Sequence, residues 1–167
     1  MGFDIYGINP VIREINEDKY PTYTKYSKLE FGDRIELFRT DSKLEDKYNE
    51  EWNLREEENC GTYFRNNCWW WRPLWNYCRH VAPELINDEL WLDGHNNSGD
   101  GLDDKDAKEL GILLIKSFEN GKFEEFERLN IERNDTGEKG IPEYTFDRDN
   151  VMEFAEFSMQ SGGFEIC

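Results

Sequence analysis

Positive charge is scarce in this chain. Lys and Arg number 20 against 37 Asp and Glu, giving a formal net charge of −17 over 167 residues. A surface of that sign repels nucleic-acid backbones and anionic membranes, so neither is expected as a partner. Histidine is nearly absent, with only His80 and His95. The cysteines Cys60, Cys68, Cys78 and Cys167 form no Cys-x-x-Cys pair, which removes the usual zinc-knuckle spacing. In a reducing compartment they read as small buried hydrophobes. No run approaches the ~20 apolar residues of a membrane span. The start, MGFDIYGINP, lacks the basic opening and apolar run of a signal peptide. Tyr6 stands where a myristoylation signal needs Ser or Thr. The expectation is a cytoplasmic protein. Gly-x-Ser-x-Gly, His-Glu-x-x-His, Walker and dinucleotide fingerprints are also missing. No catalytic residue, metal ligand or cofactor is therefore assigned.

A second absence is local. Between Cys60 and Pro83 there is no Asp or Glu, and the window reads CGTYFRNNCWWWRPLWNYCRHVAP. It holds four of the six tryptophans, Trp69, Trp70, Trp71 and Trp75, with Arg65, Arg72, Arg79 and His80. Two readings fit: a buried core helix, or a place that meets an anion or an aromatic ring. Arg offers a planar donor fork and Trp a stacking face, and the lack of neighbouring acids leaves those arginines unneutralised.

Periodicity gives the frame. Phe3 to Ile8 alternates weakly and ends at the Asn9-Pro10 turn, a short strand. Leu29 to Phe38 is read as a strand or hairpin around Gly32-Asp33. Residues 43–58 form a solvated helix whose narrow docking stripe is Leu44, Tyr48, Trp52 and Arg55. Pro73 suits the first turn of a helix running to Ala82. Its core stripe is Trp71, Leu74, Trp75, Cys78 and Val81 or Ala82, while Trp69, Arg72, Asn76, Arg79 and His80 share another side. Leu85 to Leu92 reads as a short helical turn, and Asp93 to Asp103 as a loop. Asp103 caps the next helix, with Ala107, Leu110, Leu114 and Phe118 inward. A helix from Lys122 to Asn130 turns Phe123, Phe126 and Leu129 inward; Asn134 to Pro142 is a loop. Asp149 or Asn150 starts a last helix carrying Val151, Phe154, Ala155 and Phe157. Gly162-Gly163 stops it, and Phe164 to Cys167 can pair with the first strand. The fold class is α+β: a mostly helical single domain with a small sheet joining the N- and C-terminal strands.

Four segments, MGFDIYGINP, GTYFRNNCWWWRPLWNYC, GHNNSGDGLD and NVMEFAEFSMQSGGFEIC, occur in that order and cover a little under half the chain. As a set they resemble a family of small proteins of phages, prophages and bacterial genomes. The resemblance implies a genomic setting more than a chemistry. Its members often pass from the Asn-Pro turn almost directly to the YFRNN block, so residues 11–59 look like an inserted peripheral lobe. Many relatives also carry a cysteine-rich insert resembling a zinc site; this chain lacks it, and zinc is not carried over.

The loop GHNNSGDGLD admits three uses. An EF-hand counted from Asp93 puts Ser98 where glycine is required, so Ca²⁺ fits poorly. A phosphate cradle at the following helix is opposed by Asp100, Asp103 and Asp104. A capped turn is the simplest use. The leading functional expectation is a non-enzymatic accessory protein binding a small anionic, nucleotide-like ligand. Arg65, Asn66, Asn67, Trp69 and Arg72 would hold it, with His95 and Asn97 from the loop. The alternative partner is a basic host protein, inhibited through the acidic surface; a metal-assisted hydrolase comes third.

Overall fold

A four-stranded antiparallel sheet organises the larger part of the chain. The computed structural model describes residues 2–134 and 144–167. The strands are β1 (Gly2–Gly7), β2 (Tyr63–Asn67), β3 (Gly101–Asp103) and β4 (Gly163–Ile166), in the order β2-β1-β4-β3. Strand alternation sorts the side chains: Phe3, Ile5, Phe64, Asn66, Leu102, Phe164 and Ile166 are buried on one face. The register agrees, placing Ile5 opposite both Phe64 and Ile166, and Phe3 opposite Asn66. On the other face the cross-strand pairs are Tyr6 with Tyr63 and Asp4 with Arg65. The N- and C-terminal strands thus pair as the sequence predicts. Positive φ at Gly162 (62°) and Gly163 (91°) turns the chain from the last helix into β4, a conformation an L side chain would strain.

Three helices cover the apolar face: α4 (Cys68–Val81), α6 (Asp104–Ser117) and α8 (Arg148–Gln160). Trp71, Leu74, Trp75, Tyr77 and Cys78 of α4 join Ala107, Leu110 and Leu114 of α6 and Val151, Phe154, Ala155 and Phe157 of α8 in one core. Trp71 stacks on Trp75 with ring centroids 5.4 Å apart and meets the edge of Phe154 at 5.5 Å. Each fully buried large side chain contributes roughly 1.5–3 kcal/mol relative to exposure. Burial pushes the Cys78 thiol well above its ordinary range, as suits an inert packing residue. The Tyr77 hydroxyl is pushed up to about 12, chiefly by burial, and donates to Ser117 Oγ at 2.5 Å.

Several expectations are corrected. The strand Tyr63–Asn67 and the strand Gly101–Asp103 lie where the sequence suggests no regular element. Helix α4 starts five residues before Pro73 rather than at it. Its true cap is Asn67, whose Oδ1 accepts from the Trp69 and Trp70 backbone N–H groups at 2.9 and 3.2 Å. Pro73 therefore lies inside the helix, where it cannot donate to the Trp69 carbonyl. Thr145 N–H fills that role, donating to Trp69 O at 3.1 Å. Helix α5 is short (Asp88–Asp93), and Asp103 caps α6 through the Asp106 N–H. In α7 (Lys122–Asn134), Phe123 is buried but Leu129 is exposed, and Asn130 turns inward instead, donating to Tyr144 O. The last helix starts at Arg148, capped by Asp147, where the sequence reading starts it at Asp149 or Asn150. The predicted loop lies outside the described residues from 135 onward.

The chain divides into two compact units, residues 1–11 with 60–167, and residues 12–59. The second comprises α1 (Pro21–Tyr26), α2 (Phe31–Thr40) and α3 (Ser42–Glu57). The strand or hairpin expected at 29–38 is instead a turn leading into α2: Arg34, Ile35, Leu37 and Phe38 follow helical spacing inward, and Gly32 sits harmlessly near the exposed start. On α3, Tyr48 is buried against Phe38 and Tyr23, but Trp52 is exposed and Glu51 takes the inner position. Glu51 Oε2 accepts the Tyr23 N–H at 2.8 Å, which offsets the cost of burying a carboxylate. Arg55 pairs with Glu17 at 2.8 Å. The unit's two ends are clasped by Asn59, whose side-chain amide accepts from Arg13 N at 2.7 Å and donates to Arg13 O at 3.1 Å.

Candidate functional site

The seven site residues expected from sequence separate into distinct surroundings. On β2, Arg65 is largely exposed and pairs with Asp4 at 3.5 Å. Asn66 is buried and donates to Asn150 Oδ1 at 2.9 Å. Asn67 is the cap of α4. These three line a cleft of about 520 Å³ with Trp70, Asp147, Asp149, Asn150 and Glu153. With three carboxylates to one arginine, the cleft's charge does not favour an anion. Asn97, at φ 51°, donates to Gly2 O at 3.1 Å; its buried Oδ1 has no hydrogen-bond partner among the described residues.

Trp69, Arg72 and His95 belong to a second place, the polar side of α4. Two indoles hold the α5 segment against that helix. Trp71 Nε1 donates to Gly94 O at 2.7 Å, and Trp75 Nε1 donates to Trp91 O at 3.1 Å. This presents Trp91 and His95 to Asn76, which lies one turn beyond Arg72 on the same face of α4. Trp91 Nε1 donates to Asn76 Oδ1 at 2.8 Å. An indole N–H can only donate, so the atom of Asn76 facing it must be the oxygen. His95 Nε2 approaches that same oxygen at 3.2 Å, so Nε2 carries the proton and Nδ1 is left as a bare acceptor. Trp91 meets the imidazole edge-on at 4.9 Å. Burial, and secondarily the Arg72 charge, lowers the His95 pKa to about 4, so the ring is neutral near pH 7.

Arg72 is half-buried. One guanidinium nitrogen, Nη1, donates to the Tyr144 hydroxyl at 3.3 Å. No carboxylate pairs with it among the described residues. Its Nε and the His95 Nδ1 are both buried, and neither has a hydrogen-bond partner among the described residues. Orphaned buried polar atoms are rare enough in native proteins to call for an explanation. The Tyr144 ring lies 5.8 Å from that of Trp69, and the Arg133 guanidinium lies over it at 4.6 Å. Further along, Asn76, Arg79, His80, Pro83, Trp91 and Phe126 line a groove of about 470 Å³. There Arg79 lies over the Trp91 ring and pairs with the highly exposed Asp88.

Asn76, Trp91 and Tyr144 are absent from the sequence-based set. Helical spacing already places Asn76 on the side of Arg72; Trp91 and Tyr144 come from elements with no spacing relation to α4. Among the described residues, no helix is long and apolar enough to cross a membrane, and no group of three or more His, Cys, Asp or Glu could hold a metal ion. No family model, curated protein or solved structure matches the chain.

Proposed function

We propose that this chain is a non-enzymatic accessory protein of phage or prophage type that binds a small anionic, nucleotide-like ligand on the polar side of α4. The observation that carries the reading is Arg72: a half-buried guanidinium with an orphaned Nε, no carboxylate partner among the described residues, and a hydrogen bond to the hydroxyl of Tyr144, whose ring meets that of Trp69. A buried cation without an acidic partner is costly unless an acceptor completes it. An anionic ligand with a flat ring satisfies both the charge and the rings. Arg65, Asn66 and Asn67 have structural roles or acidic neighbours, so the proposal rests on Arg72 and His95, with Trp69 alongside. Sequestration of a host signalling nucleotide is one use for such a site.

The test combines mass spectrometry of small molecules released from the purified protein with calorimetric titration of nucleotides. Arg72→Ala keeps a near-parental melt and loses roughly 1.5–3 kcal/mol of binding energy, the worth of a charged hydrogen bond. If Arg72 is a structural residue, Arg72→Ala unfolds far below the parent, and the parent binds no nucleotide. That result puts inhibition of a basic host protein by the acidic surface ahead, a reading supported by the net charge of −17.

A further inference from the structure

The outer edge of β2 borders the cleft of about 520 Å³ that Arg65, Asn66 and Asn67 line. In the sheet order β2-β1-β4-β3, β2 has a neighbour on one side only. The pairing of β1 fixes where the β2 backbone points. Asp4 N–H donates to Cys167 O at 3.0 Å, and Asp4 O accepts the Cys167 N–H at 2.8 Å, so both backbone groups of Asp4 are directed toward β4. Arg65 stands opposite Asp4. The two form a non-hydrogen-bonded pair of the ladder, and the Arg65 N–H and C=O point outward from the sheet. Neither group has a hydrogen-bond partner among the described residues. No lysine or proline in Tyr63–Asn67 blunts this edge. The facing wall of the cleft is the start of α8, with Asp147, Asp149, Asn150 and Glu153, and Trp70 of α4 lines it as well. Asn66 and Asn150, both buried, join the two walls through their hydrogen bond.

We infer that this cleft takes an extended basic segment of a partner protein, added to the sheet beside β2 with a Lys or Arg side chain directed at the acids of α8. Backbone bonds to an exposed strand edge give affinity in such complexes, and alternate side chains give specificity. An added strand lies ~4.8 Å from β2 and sends successive side chains to opposite faces of the sheet. Those on the face of Phe64 and Asn66 enter the cleft. The Arg65 side chain is on the other face, 66% exposed and paired with Asp4, so it does not oppose an incoming cation. Asp149 is exposed and makes no ion pair among the described residues. Asp147 accepts two backbone N–H groups as the cap of α8 and still presents its charge to the cleft. Half-buried Trp70 offers a ring to an ammonium or guanidinium group. The net charge of −17 draws a basic segment toward the protein and speeds encounter. This surface involves neither Arg72 nor His95, so it stands apart from the α4 ligand site.

The probes are acetylated, amidated heptapeptides alternating Lys or Arg with Val or Thr, titrated into the whole protein at low salt and followed in ¹H–¹⁵N spectra. The Arg65 amide is expected to shift and to exchange its hydrogen more slowly, and binding weakens as salt is raised. Counterparts with Glu in place of the basic residues do not bind. Asp149→Asn weakens the basic peptides roughly two- to fivefold, the worth of one exposed charge pair. That variant keeps its fold, because Asp149 is exposed and the cap is Asp147. Peptides N-methylated at every second residue distinguish strand addition from plain charge attraction. Of the two such isomers, one loses binding and the other keeps it, since only one edge of the added strand bonds to β2. Equal binding by both isomers overturns the inference, as does equal binding by the acidic and basic peptides. An Arg65 amide that no peptide of the set moves overturns it too. None of these results bears on the reading of Arg72.

Discussion

Gly94→Ala adds a single methyl group, and the structure specifies what it meets. A Cβ at this position would lie 2.3 Å from Trp75 Nε1 and 2.5 Å from Trp75 Cε2. Gly94 has an ordinary helical φ of −65°, so the backbone imposes no penalty on alanine. In open space the change would stabilise by roughly 0.4–1 kcal/mol through the unfolded chain. Here the obstacle is a rigid indole. Trp75 is fully buried, stacks on Trp71 and donates to Trp91 O, so it has little room to retreat. Overpacking of a tight core costs typically 1–3 kcal/mol, which outweighs the entropic gain. A net loss of roughly 1–2 kcal/mol is expected in urea melts followed by tryptophan fluorescence. The double-mutant cycle with Trp75→Phe sharpens the test. Phenylalanine removes the part of the indole that collides, so Gly94→Ala should cost much less in that background. Gly32→Ala, in open space on α2, is the control and should not destabilise. A Gly94→Ala protein as stable as its parent, or strict additivity in the cycle, would refute the placement of Gly94 against the indole.

The remaining predictions follow from other groups. The folded-state pKa of His95 is depressed to about 4 from 6.5. The unfolded chain therefore binds the proton first, and the His95 contribution, fully present above pH 6.5, is lost as pH falls toward 4. The stability difference between parent and His95→Gln should accordingly shrink across that window and stay flat above it; a difference independent of pH refutes the neutral imidazole. Deleting residues 12–59 and joining Val11 to Cys60 by a short linker should preserve one cooperative transition in the remainder, because Val11 N donates to Gln160 O while Gln160 Nε2 donates to Cys60 Sγ. Loss of cooperativity in that variant shows that residues 12–59 complete the main core.

Helical periodicity carried far because it is local. The stripes Trp71, Leu74, Trp75, Cys78 and Ala107, Leu110, Leu114 are the α4 and α6 contributions to the core, and Asp103 caps as its chemistry suggests. The short strands were less legible. Tyr63–Asn67 and Gly101–Asp103 are strands because β1 and β4 pair with them, and pairing partners far along the chain leave little local trace. Pro73 misled about the start of α4 since its normal place is a first turn; the Thr145 N–H that allows it mid-helix is more than seventy residues away. The candidate site was partly visible for the same reason. Trp69, Arg72 and Asn76 share a helix face by spacing alone. The Trp91 indole, which sets the orientation of Asn76 and so the tautomer of His95, enters through tertiary packing.

The clasp between Arg13 and Asn59 has a consequence for folding kinetics. To pair β1 with β2, the chain must bring Tyr6 to Tyr63 across the whole of residues 12–59, and an open loop of that length carries a substantial closure entropy. Once residues 12–59 have folded, Asn59 holds the backbone of Arg13 beside its own, and the long loop behaves as a short turn. By the logarithmic dependence of closure entropy on length, this lowers the cost of the β1–β2 pairing by roughly 1.5 kcal/mol. Breaking the clasp should then slow formation of a sheet to which neither Arg13 nor Asn59 belongs, and do so more than it speeds unfolding.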